Sequence, residues 1–185
     1  MKKLILSAIL MASAIIVNAQ TTDTTAIKSG RNGNNEIKLN LAYTIAGIPE
    51  INYERILKDD MSVGLAVMVG LEDDADFSFA IIPNYRIYFG NKKANGFFIE
   101  GNASVLNTRD YDYYYLSSSY YNGTYQQRKE RNITSFGLGA AAGGKFLTRN
   151  GFLGEAYLGV GRSFGRNSNN NEAYPRVGIT IGKRF

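Results

Sequence analysis

Residues 176–185, RVGITIGKRF, close the chain. Val177, Ile179, Ile181 and Phe185 take the odd positions of that run. Arg176, Gly178, Thr180, Gly182 and Arg184 take the even ones. Successive side chains of a strand point to opposite faces, whereas a helix returns to one face every three or four residues. The run therefore reads as a strand with one apolar side and one side carrying two arginines.

The same period of two recurs upstream. Phe152, Ala156, Leu158, Val160 and Phe164 oppose Glu155, Tyr157, Gly159 and Gly161. Phe136, Leu138, Ala140, Ala142 and Phe146 oppose Gly137, Gly139, Gly143 and Lys145, and Phe97, Ile99, Ala103 and Val105 oppose Glu100, Asn102 and Ser104. Phe77, Phe79, Ile81, Pro83, Tyr85, Ile87 and Phe89 share a face opposite Asn84 and Arg86. Val63 to Leu71 alternate with Gly64, Ala66, Met68 and Gly70. Ile51, Tyr53 and Leu57 oppose Asn52, Glu54 and Ile56. The first strand carries Ile37, Leu39, Leu41, Tyr43 and Ile45 on one face. That gives eight strands and an all-β chain.

Two observations turn this sheet inside out relative to a soluble one. The mixed face holds Glu54, Arg86, Glu100, Lys145 and Glu155, a poor apolar core. On the other face the only charges are Arg55, Arg162 and Lys183, each near a strand end, where an interfacial Lys or Arg costs roughly 0–1 kcal/mol rather than ~2–4 at a bilayer midplane. Connection lengths add a third observation. The second, fourth and sixth (58–60, 90–95, 148–151) are short, and the third, fifth and seventh (72–76, 107–131, 165–173) include all the longer ones. Only the first, 47–49, departs. The expected fold is an eight-stranded antiparallel up-and-down transmembrane β-barrel over residues 36–185, with short turns on the periplasmic side.

Lys2 and Lys3, the apolar Leu4–Val17 stretch and Val17-Asn18-Ala19 form the three parts of a secretory signal peptide, residues 1–19. The apolar stretch is shorter than the ~20 residues a spanning helix needs. Loss of the two lysines takes the formal charge from +5 to +3, mild enough to require no nucleic-acid partner. Residues 20–35, rich in Thr, Asn and Gly, read as a flexible periplasmic leader.

The terminal RVGITIGKRF, together with EIKLNLAYTIAGIPEINYERIL at 36–57, resembles the small outer-membrane β-barrels of OmpA/OmpX-like architecture. The resemblance covers nearly the whole mature chain. It implies a monomer in the bacterial outer membrane, with membrane lipid as its surroundings. It also implies that Ile179, Ile181 and Phe185 act as the signal read by the barrel-assembly machinery. Lys183 departs from that signal, which favours an aromatic residue there. On function the resemblance is nearly silent.

Composition narrows the chemistry. The chain has no Cys and no His, so it lacks a thiol nucleophile, a thiolate metal site and the usual general base. No enzyme activity and no cofactor are expected. GAAAGGK at 139–145 has phosphate-loop spacing, but Phe146 follows where Ser or Thr is needed, and its flanks are strand. Glu72 to Asp76 reads as a solvated acidic loop rather than a calcium site.

Two regions remain as candidate sites. Inside an eight-stranded barrel there is room only for side chains. The inward acids Glu36, Glu54, Glu100 and Glu155 and bases Lys38, Arg86, Lys145, Arg176 and Arg184 are therefore expected to pair as a plug, with a narrow ion path as the alternative. Glycines 137, 139, 143, 159 and 161 are expected to make room for these long charged chains. The second region is 107–131, with Tyr111, Tyr113, Tyr114, Tyr115, Tyr120, Tyr121 and Tyr125 followed by Arg128, Lys129 and Arg131. It reads either as an external contact loop or as strands five and six prolonged beyond the membrane. The expected role is structural or surface-interactive, with a channel or a secreted soluble binding barrel as alternatives.

Overall fold

The computed structural model describes residues 32–71, 77–118, 123–164 and 173–185, with side chains described outside 110–130. The signal segment, residues 72–76, Tyr120 and Tyr121 lie outside the described residues. The strands are β1 (Asn35–Asn40), β2 (Glu50–Lys58), β3 (Met61–Val69), β4 (Phe77–Tyr88), β5 (Gly96–Ser118), β6 (Gly123–Leu147), β7 (Phe152–Phe164) and β8 (Ala173–Arg184). Each pairs antiparallel with its chain neighbours. β1 closes the ring onto β8, from Glu36↔Arg184 to Asn40↔Thr180. The fold is an eight-stranded up-and-down barrel without a free edge in its wall.

The wall alternates as the sequence does. Outward residues such as Leu138 (63% exposed), Leu158 (69%) and Ile179 (59%) have nothing of the protein over them. Arg55, Arg162 and Lys183 are exposed near the rims. The Arg162 guanidinium lies 5.8 Å from the Phe164 ring centre, and the Lys183 ammonium 5.5 Å from that of Phe152.

Two expectations are corrected, and one pair of alternatives is decided. β1 stops at Asn40, and Leu41–Ile45 forms a short helix, α1, instead of continuing the strand. Asn40 caps it, accepting from the Ala42 N–H at 3.1 Å, and Thr44 Oγ1 donates to Asn40 O at 2.6 Å. The first connection is thus 41–49, which removes the exception to the short–long alternation. Phe77 does not share the face of Phe79. The register shifts between them, and Phe77 packs against the cluster inside the barrel mouth. Of the two readings of 107–131, the prolonged strands hold, because β5 and β6 pair rung by rung up to Ser118↔Gly123.

Both ends of the lumen are stoppered. At the end opposite the termini, Ala66, Met68, Ala80 and Ile82 cluster with Tyr43, Ile48, Phe77 and Leu106, so α1 folds over the mouth. At the terminal end, the turn after β4 tucks Ala94 under the barrel against Ile56, Tyr88 and Phe98. Its backbone is tied there by Ala94 N–H donating to Asp59 O at 2.7 Å.

Candidate functional site: a paired lumen and an outer ribbon

Between the two stoppers the lumen is ionic. Five acids (Glu36, Glu50, Glu54, Glu100, Glu155) and five bases (Lys38, Arg86, Lys145, Arg176, Arg184) are buried there among the described residues. Charges removed from water need partners to offset the lost hydration. Here the count balances.

Glu36 accepts from Lys145 at 2.7 Å and from Arg184 at 2.7 Å, and Arg184 also donates to Ala94 O at 2.7 Å. This ties the ionic network to the terminal stopper. At the centre, Glu54 meets Lys38, Tyr88, Lys145 (3.0 Å), Arg86 (3.0 Å) and Ser62 (2.6 Å). Glu155 receives Lys38 at 2.9 Å and Arg86 at 3.0 Å. Arg86 reaches Glu100 through Nε at 2.8 Å and stacks 4.4 Å from the Phe98 ring centre. Towards α1, Arg176 bridges Glu100 at 3.0 Å and Glu50 at 2.8 Å.

Glu54, Arg86, Glu100, Lys145 and Glu155, singled out from the sequence, thus lie in one contact network. Glu50 was not foreseen, because Pro49 marks a turn and the strand was started at Ile51. Stepping the alternation back from Glu54 through Asn52 would have placed it inward. Glu36, Glu54 and Glu155 bring carboxylate oxygens within 4.8 Å of one another, the spacing of a metal cage. The Lys38 and Lys145 ammonium groups already occupy that cluster, so the donor set is that of an ion-pair core.

Of the five foreseen glycines, Gly161 makes room for an aromatic ring rather than a charge, since a Cβ there would clash with Tyr174, as one at Gly178 would with Tyr157. Tyr174 then donates to Asn102 Oδ1 at 3.0 Å and Tyr157 to Glu50 at 3.3 Å.

The second candidate region is the outer part of the β5–β6 hairpin. β4 accompanies β5 only to Thr108, and β7 meets β6 only from Phe136 onward. Residues 109–118 and 123–135 therefore form a two-stranded ribbon bordered by no other strand among the described residues. Tyr111, Tyr113, Tyr114 and Tyr115 fall on β5; Tyr125, Arg128, Lys129 and Arg131 fall on β6. The register sets Asp110 opposite Arg131, Asp112 opposite Lys129 and Tyr113 opposite Arg128. Opposite charges facing across a strand pair favour that alignment. At the C-terminus, Phe185 exchanges both backbone hydrogen bonds with Asn35, at 3.0 and 2.9 Å, and Ile179 and Ile181 stand outward.

These features define a small, closed, up-and-down β-barrel, the architecture that the sequence resemblance implied. No protein family and no curated protein matches the chain. A solved structure similar to it is the N-terminal beta-barrel domain of Pseudomonas aeruginosa OprF, at 16% identity and a TM-score of 0.45, covering 83% of this chain and 98% of that one.

Proposed function

We propose that this protein is an outer-membrane barrel with a structural or surface-interactive role, and that the β5–β6 ribbon is its contact element. The observation that carries the reading is the inversion of the wall. Its outer face is apolar and exposed, while the charges are buried and paired inside. In water such a face would aggregate; in a bilayer it is the face lipid requires. The ribbon prolongs two adjacent strands beyond the wall at the end opposite the termini, where an outer-membrane barrel meets the exterior.

The paired lumen supports a plug over the narrow channel, because ions would have to break several contacts of about 3 Å to pass. A soluble binding barrel would need an apolar interior, which this lumen does not offer. Cold-versus-boiled gel mobility of an outer-membrane fraction tests the reading. A heat-modifiable band there supports it, and a soluble, unshifted protein overturns it. Leu158→Arg, at mid-strand on the outer face, should reduce the folded band, since a midplane arginine costs about 2–4 kcal/mol.

A further inference from the structure

Above the ionic core, towards α1, several buried polar atoms find no hydrogen-bond partner among the described residues: Asn52 Oδ1, Asn84 Oδ1, Ser104 Oγ and Arg176 Nη2. Their residues are 1–6% exposed. Two of these atoms converge on a glycine. Asn84 Oδ1 lies 2.6 Å and Asn52 Oδ1 3.2 Å from the point where a Cβ of Gly64 would stand. The amide nitrogen of Asn84 donates to Ile82 O at 3.4 Å, which leaves its oxygen pointing at that glycine. Arg176 has committed Nε to Glu100 and Nη1 to Glu50, leaving Nη2 over.

We propose that this layer is a built hydration site, in which water bridges Asn52 and Asn84 over Gly64 and reaches Arg176. A cation is disfavoured, because the acids at this level already hold Arg176 and the lumen has no surplus negative charge. An anion is disfavoured by the converging amide oxygens and by Glu50 and Glu100 beside the guanidinium. Water alone offers donors to the amides and an acceptor to Arg176. The apolar cluster of Ala66, Met68 and Ile82 seals the layer on the mouth side. The lumen is then two-storeyed, an ion-paired core beneath a hydrated polar layer. The inference does not depend on where the barrel resides.

Water–protein cross-relaxation NMR on the full refolded chain in micelles tests it. Slowly exchanging water should give cross-peaks to the Asn52 and Asn84 side-chain amides and to Arg176. Gly64→Ala, whose added carbon competes for the same point, should abolish them at both asparagines while the heat-modifiable band is kept. Absence of the cross-peaks in the unaltered protein overturns the proposal even if the variant fails to fold, and so does their persistence at full intensity in Gly64→Ala.

Discussion

The barrel lumen and the β5–β6 ribbon are built from the same strands but solve opposite problems. In the lumen, Glu54 alone is held by Lys38, Arg86, Lys145, Ser62 and Tyr88. A few rungs further along, β5 and β6 have only each other, and no described strand borders them. The lumen satisfies its charges within the barrel, whereas the ribbon has no further strand along its edges among the described residues. Edges of this kind invite another strand unless charged residues stand along them, and the sequence puts Arg128, Lys129 and Arg131 on β6. Stability is therefore expected to reside in the lumen and, on the proposed function, partner binding in the ribbon.

The largest effect that would break this contrast comes from the lumen. Glu54→Ala removes one carboxylate and strands several buried cations, so it should cost about 3–5 kcal/mol. The check is the urea midpoint of the refolded barrel in lipid vesicles, read as the heat-modifiable band. A loss below 1 kcal/mol would mean that these pairs behave as solvated surface ion pairs and that the lumen is open to water.

Next in size is an overpacking test. Gly161→Ala drives a methyl into the Tyr174 ring and should destabilise the barrel by about 1–3 kcal/mol. In a Tyr174→Ala background most of that penalty should vanish, a coupling that a double-mutant cycle measures. If the penalty is the same in both backgrounds, wall curvature and not the tyrosine demands the glycine.

The wall was legible in the sequence because its two faces meet different surroundings. Val177, Ile179 and Ile181 against Arg176 and Thr180 announce both the strand and its orientation. The ribbon was legible only as one of two alternatives, because Tyr, Asp and Arg at 109–131 show no period-two contrast. α1 escaped because Leu41, Tyr43 and Ile45 satisfy alternation as readily as a helical turn. What decides between them is the Asn40 cap and the position of Tyr43 over the mouth. The lumen ion pairs were legible as a set of types, but their partners depend on a register that no single strand reveals.

Replacing residues 110–131 by a short turn should sharpen the contrast from the other side. The barrel's unfolding midpoint should shift by less than about 1 kcal/mol, because no other described strand borders the ribbon. Any binding of cells or surfaces by the protein should be lost. Retained binding would move the contact element to another exposed segment, and a collapse in stability would show that β5 and β6 nucleate the wall from outside it.

An effect of similar modest size belongs to α1, which lies outside the barrel wall. Tyr43 donates its hydroxyl to Pro175 O at 2.8 Å, linking the cap over the mouth to the start of β8. Burial pushes this hydroxyl above its ordinary 10.0, outweighing the backbone hydrogen bond of Val177 that lowers it. A raised value means that the folded mouth favours the protonated form. The stabilisation is therefore complete below pH 10 and fades as pH rises through the folded value, when a buried phenolate facing a carbonyl replaces the hydrogen bond. Tyr43→Phe keeps the ring and removes only the hydroxyl, so it should cost about 0.5–1.5 kcal/mol at neutral pH. The same substitution should abolish the alkaline loss of amide-exchange protection in α1. If protection there falls equally in both proteins at high pH, the cap is held by Ile48 and the apolar cluster, and the mouth is sealed by packing alone.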